Sequence, residues 1–284
     1  MNFGEANSFV YNFIEKILTD KTKFAGVNEQ MDTIRRGAVE IIPEEEMIQK
    51  LERSIKEKKP LNINVVAEKT APTYGALMAW KEQVAPNYSP IVDYFFGLME
   101  VSIMCNGCSK VRSKYEPFNM LKVGFEDQKK STLEQCMDYE FKPEELDDYQ
   151  CDDCSPDVPK DSPKPKNKRP SASIQRKIWR LPQNLIVILK RFNPNGTKCH
   201  SDFEAAPIQK FSKWFSDKSP ESSKMADYSL QSVVDHHGSA NGGHYVAQVK
   251  SPITGKWNVY DDENVTTMKD GSQVYLGRPS YILF

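Results

Sequence analysis

Four of the six cysteines stand in two C-x-x-C pairs, Cys105-Asn106-Gly107-Cys108 and Cys151-Asp152-Asp153-Cys154. Each pair sets two sulfurs on one tight turn, and two such turns side by side make a tetrahedral four-thiolate site of the zinc-ribbon kind. The 42 residues between the pairs exceed the span of a minimal finger, so strand pairing must bring them together. One zinc ion held this way is structural, because four protein ligands leave no position open for water or substrate. A redox dithiol needs only one pair, and four unrelated cysteines need no matched spacing. Of the other two thiols, Cys136 falls in an amphipathic stretch and reads as a small buried side chain. Cys199 stands beside His200, but adjacency in sequence does not make a reactive pair, which needs a positioned environment around the thiolate.

A second constellation lies near the C-terminus, where Gly242-Gly243-His244-Tyr245 is followed by Tyr260-Asp261-Asp262. A histidine on one strand and an acid at the end of the next can face each other across a hairpin. The carboxylate then fixes the imidazole tautomer and stabilises its cation. The simpler reading is a polar surface histidine near a strand end. The paired glycines favour the first reading, since they let another backbone approach closely.

The elements that must position these groups follow from pattern. With 284 residues, 39% of them apolar, the chain can build a substantial core. The 38 Lys+Arg against 39 Asp+Glu leave a charge of -1, which selects neither nucleic acid nor an anionic membrane as partner. No apolar run is long enough to span a bilayer and no signal peptide opens the chain. Together with the cysteine usage this predicts a soluble intracellular protein, cytoplasmic or nuclear. Helical spacing marks 8–20, 45–59 and 73–83. Strand patterns then dominate: VSIMC, FNMLKV at 118–123, IWRLPQNLIVILKRF at 178–192, YSLQSVV, HYVAQVK, KWNVYD and SYILF. The apolar run Leu185 to Leu189 predicts a strand buried on both faces. Proline- and lysine-rich 155–175 is expected to be a mobile, solvated loop, with a basic docking patch as the less favoured reading.

The order of these segments resembles the catalytic domain of the ubiquitin-specific proteases, the deubiquitinating cysteine proteases. The resemblance rests on DHHGSANGGHYVAQVKSPITGKWNVYDDENV at 235–265, IWRLPQNLIVILKRF, CNGC, YQCDDC, SPIVDYFFGLMEVSIMC at 89–105, TLEQCMDYEFKPEEL at 132–146 and the closing SYILF. It implies an α+β, papain-like fold of thumb, palm and fingers forming one domain over 1–284. The helical thumb remainder would take about 1–90, the fingers with the zinc ribbon about 91–180, and the palm about 181–284.

By the same resemblance His244 takes the place of the general base and Asp261 that of its orienting acid, with Asp262 auxiliary. Gly242, Gly243 and Tyr245 would line the channel for the C-terminal Gly-Gly of ubiquitin, and 236–241 would be a mobile loop beside it. The implied reaction is hydrolysis after that Gly-Gly, with ubiquitin or ubiquitinated proteins as partners. The family's nucleophile-bearing cysteine box is expected to be absent, because Glu5 to Val10 resembles the motif that follows it. Ser8 stands there in place of an acidic residue. The alternative function is a pseudo-deubiquitinase that binds ubiquitin without cleaving; a nucleic-acid-binding zinc module is the least favoured.

Overall fold

The computed structural model describes residues 89–126, 129–154, 169–222, 226–269 and 273–284, together with parts of 72–84. The helices expected at 8–20 and 45–59, Glu5 to Val10 with Ser8, and 155–168 lie outside the described residues. The described positions within 72–83 are helical, as their spacing predicts. Among the described residues no helix is long and apolar enough to cross a membrane.

Helix α1 (Pro90–Phe95) carries proline in its first turn, where the missing N–H costs nothing, and ends as Phe96 turns extended. From there β1 (Gly97–Cys105) runs out to the first cysteine pair and β2 (Val111–Phe118) returns antiparallel to it. The chain crosses to β3 (Leu121–Val123), then β4 (Lys130–Thr132) and helix α2 (Leu133–Glu140). Helix α2 starts with a reciprocal capping box: the Gln135 backbone N–H donates to Thr132 Oγ1 at 3.2 Å, and the Thr132 N–H donates to Gln135 Oε1 at 2.9 Å. Such a cap contributes about 1 kcal/mol. The helix buries Leu133, Cys136 and Met137, so Cys136 is the core thiol its pattern suggested.

Next come β5 (Glu144–Leu146), β6 (Ala172–Arg180), β7 (Val187–Leu189), β8 (Asp202–Glu204), β9 (Ile208–Lys210) and β10 (Asp227–Ser229). The last five strands are β11 (Ser232–Ser239), β12 (Gly242–Lys250), β13 (Trp257–Asp261), β14 (Asn264–Thr267) and β15 (Ser280–Leu283). Two main sheets result: a four-stranded one ordered β2-β1-β6-β5 and a seven-stranded one ordered β14-β13-β12-β11-β15-β7-β3. Only the β3–β7 contact in the larger sheet is parallel. Strand β7 is buried throughout. Val187 and Leu189 face the main core with Phe203, Phe211 and Leu283, while Ile186 and Ile188 face a second cluster with Phe192 and Tyr281. That is the doubly buried strand its apolar run predicts.

Four expectations are corrected. Residues 172–175, assigned to a mobile loop, belong to β6, where β1 pairs on one side and β5 on the other. Residues 236–241 are the end of β11 and a two-residue turn at Ala240 and Asn241, after which β12 starts at Gly242. YSLQSVV is divided between β10 and β11, and IWRLPQNLIVILKRF is broken between β6 and β7 around Pro182, which cannot donate to a ladder.

Beneath this framework Arg191 is fully buried, and among the described residues its hydrogen-bond partners are backbone carbonyls. Its guanidinium donates to the carbonyls of Ser280 (2.5 Å), Cys199 (3.2 Å), Ser201 (2.8 Å) and Gly277 (2.9 Å). Burial lowers its pKa to about 10. The planar fork thereby ties the end of β7 to the approach of β15, a task the flexible point charge of lysine would do poorly.

Candidate active site and cysteine cluster

The two C-x-x-C turns sit together at the far end of the four-stranded sheet. Cys105 ends β1, Ser109 takes a left-handed φ of 58°, and its backbone N–H closes the turn on the Cys105 carbonyl at 2.7 Å. The second turn is drawn alongside by chain near the start of β6: the N–H of Asn106 donates to Ser171 and that of Tyr149 to Pro170. Between the turns, Lys110 pairs with Asp153 at 2.7 Å, and Arg112 pairs with both Asp152 and Asp153.

The four sulfurs all lie within 4.8 Å of one another, with Cys105 and Cys154 at 3.6 Å and Cys108 and Cys151 at 3.7 Å. A tetrahedron with metal–sulfur bonds of about 2.3 Å has edges of about 3.8 Å, so this donor set fits and could hold a zinc ion. The Cys151 thiol is pulled down to about 7 by the backbone N–H groups of Asp153 and Cys154. At Cys151 that favours the thiolate a metal requires, whereas burial and the neighbouring thiols push Cys154 up to about 12.

At the other end of the chain, β12 and β13 pair antiparallel from Lys250–Trp257 to Ala247–Tyr260. Asp261 follows at the end of β13, and its Oδ1 lies 2.5 Å from Nε2 of His244. Both side chains are about half exposed (47% and 53%), so the pair opens to solvent. The hydrogen bond to Asp261 raises the His244 pKa above the ordinary histidine value, and the nearby charge of Asp262 adds to it. With Nε2 facing a carboxylate, the proton is assigned there and Nδ1 is left as the lone-pair nitrogen. Asp262 takes a left-handed φ of 51° at the tip of the β13–β14 hairpin, and one of its carboxylate oxygens lies within 4.8 Å of a His244 ring nitrogen and of an Asp261 carboxylate oxygen.

The residues expected to line a channel separate. Gly242 has nothing within 4 Å of where a side chain would begin, whereas a Cβ on Gly243 would overlap Nε2 of His236 and the carbonyl oxygen of His237. Gly243 is therefore glycine because its own chain fills the space. Tyr245 is half-buried and lies over the ring of His236, centroids 4.7 Å apart. His236 is 1% exposed, and with Lys198 it is the feature of this site that the sequence reading missed. The one available signal was the first histidine of HHG.

Among the described residues the His244 ring hydrogen-bonds to Asp261. Burial pushes Cys136 up to about 12, and Cys199 is buried beside Arg191, which takes its carbonyl as an acceptor. Cys199 is thus a packed residue.

A sheet-rich α+β fold, a fourfold thiol cluster at the end of one sheet and a His–Asp pair on the other describe a papain-like hydrolase scaffold. Residues 15–284 match the ubiquitin carboxyl-terminal hydrolase family, and the chain belongs to it. It is 27% identical over 207 residues to ubiquitin carboxyl-terminal hydrolase Usp2 of Drosophila melanogaster, covering 73% of this chain and 21% of that protein. It is 31% identical over 203 residues to ubiquitin carboxyl-terminal hydrolase 8 of Saccharomyces cerevisiae, covering 67% and 40%. Among solved structures, a yeast SAGA DUB module chain superposes with TM-score 0.58 at 26% identity, covering 73% of this chain and 44% of that one. A SAGA DUB module chain in a complex with ubiquitin aldehyde gives 0.54 at 29%, covering 68% and 41%. The chain spans between a fifth and two-fifths of the length of these curated relatives.

Proposed function

We propose that this chain supplies the ubiquitin-binding surface and the His–Asp half of a thiol hydrolase that cleaves after the C-terminal Gly-Gly of ubiquitin. The observation that carries the reading is the 2.5 Å contact of His244 with Asp261 beside open Gly242, in a chain of this family. His244 Nδ1 takes the proton of a cysteine thiol, and the thiolate attacks the scissile carbonyl. His244 then protonates the departing amine, and water releases the ubiquitin carboxylate from the thioester. Asp261 keeps the imidazole in the required tautomer and stabilises its cation while it holds the proton. Asp262, with a carboxylate oxygen within 4.8 Å of a ring nitrogen, adds charge. The cluster of Cys105, Cys108, Cys151 and Cys154 holds one structural zinc, which supplies rigidity and no chemistry. Six cysteines outside any disulfide suit the cytoplasm or nucleus.

A second reading is ubiquitin binding without hydrolysis. It is favoured by the placement of this chain's own thiols: four gather in the cluster and the other two are buried. The experiment that separates the two readings pairs a ubiquitin probe bearing a C-terminal electrophile with a ubiquitin-binding titration, on the chain and on His244→Ala and Cys199→Ala. Capture or turnover lost in His244→Ala supports the hydrolase, and binding with neither supports the second reading. Capture lost in Cys199→Ala would make that thiol the nucleophile, and absence of binding would overturn both readings.

A further inference from the structure

Behind the β11–β12 hairpin lies a buried polar pair that the hydrolytic step does not use. Lys198 stands at the end of a tight turn, fixed by its bridge to Phe192 and by the N–H of Asn193 donating to Thr197 at 2.9 Å. From there its ammonium donates to three acceptors on β11. These are the carbonyl of His236 at 2.6 Å, the carbonyl of Gly238 at 3.2 Å and Nδ1 of His236 at 3.0 Å. The His236 ring packs among Phe192, Tyr245 and Tyr281. Its Nε2 is buried and has no hydrogen-bond partner among the described residues. An imidazole in the core with one nitrogen unpaired is a costly choice where a phenylalanine would pack. The ring's edge fills the volume a side chain on Gly243 would need, and the next residue is His244.

We infer that Lys198 and His236 are positioning residues for His244. Lys198 draws the end of β11 and the His236 ring to the 192–198 turn, and the ring so held is the floor on which Gly243 rests. The floor fixes the height of β12 where His244 leaves it, and so the reach of its Nε2 to Asp261. The register agrees: His237, which stands between the two residues Lys198 contacts, pairs with His244, and Gly238, one of the two, pairs with Gly243. Among the described residues the charged groups acting on His244 are Asp261 and Asp262, and those acting on His236 are Lys198 and His237.

The inference rests on His244 being the general base, but its test reads the ring of the free chain, whether or not hydrolysis occurs. The His244 imidazole is titrated by NMR in the wild type, Lys198→Met, His236→Phe and the control Lys190→Met, which loses an exposed lysine paired with Glu140. Thermal unfolding is recorded alongside. Loss of a positive charge alone would raise the His244 pKa, whereas loss of position lowers it by weakening the Asp261 contact. The expected result is a fall toward about 6.5 in Lys198→Met, a smaller fall in His236→Phe, and no change in Lys190→Met. If Lys198→Met does not fold, His236→Phe, which keeps the ring's bulk, decides. A His244 pKa unchanged or raised in the folded variants would overturn the inference. Catalytic failure with the pKa shifts intact would instead count against the hydrolase reading.

Discussion

Asp261 lies one residue beyond the last backbone pair between β12 and β13, and from there it reaches diagonally across the strands to His244. Freed from the ladder on that side, its backbone pairs instead with Asn264 on β14, so the acid is held by one hairpin and the base by another. Diagonal neighbours in a sheet are within reach of longer side chains, and this pair uses that reach.

The contact should be visible in stability against pH. The folded pKa of His244 is raised. The pair therefore contributes stability below the unfolded value of about 6.5, and the contribution fades as pH rises through the folded pKa. Asp261→Asn should narrow this effect, with a melting-temperature gap from wild type largest near about pH 6 and closing toward alkaline pH. A gap that widens on the alkaline side would contradict the assignment.

Removing one sulfur should undo the cluster. Cys151→Ala leaves three thiols, and zinc analysis by mass spectrometry is expected to fall from one equivalent per chain toward none. Wild-type protein purified without chelator and free of zinc would end the metal assignment.

The two glycines before His244 should behave differently. Gly243→Ala forces its methyl into His236 and the His237 carbonyl, and should destabilise by about 1–3 kcal/mol as an overpacked site does. Gly242→Ala meets nothing and should leave stability within about 0.5 kcal/mol. If the open face beside it receives the ubiquitin tail, that silent methyl should still weaken binding in a ubiquitin titration.

Arg191→Met strips the donor from the carbonyls of Ser280, Cys199, Ser201 and Gly277. Its cost in urea denaturation is expected to reach about 3 kcal/mol, because buried acceptors left without a partner lose their hydration as well. A loss under about 1 kcal/mol would mean that water replaces the guanidinium.

Much of this was legible in sequence, for identifiable reasons. Matched cysteine spacing reports a local turn, and the apolar Leu185 to Leu189 run reports burial on both faces; neither depends on distant chain. The ends of β6 and β11 were not legible. Ser173 to Lys177 is polar and follows a proline-rich stretch, and it becomes strand only because β1 and β5 flank it. His236 to Ser239 reads as a loop by composition, and only Lys198, far off in sequence, explains why a histidine is buried there.

The long pairing of β1 with β6 has a root and a tip. At one end Met99 lies opposite Ile178, which is buried in the main core; at the other Cys105 lies opposite Ala172, beside the thiols. Glu100 fastens the root further, accepting from Ser113 at 2.8 Å and Ser216 at 2.5 Å. A sheet held at one end by packing and at the other by a thiol cluster opens locally from whichever end is released. Amide exchange in protein treated with a chelator should therefore quicken from Cys105 inward and fade before Met99, while β7 and β15 exchange as before.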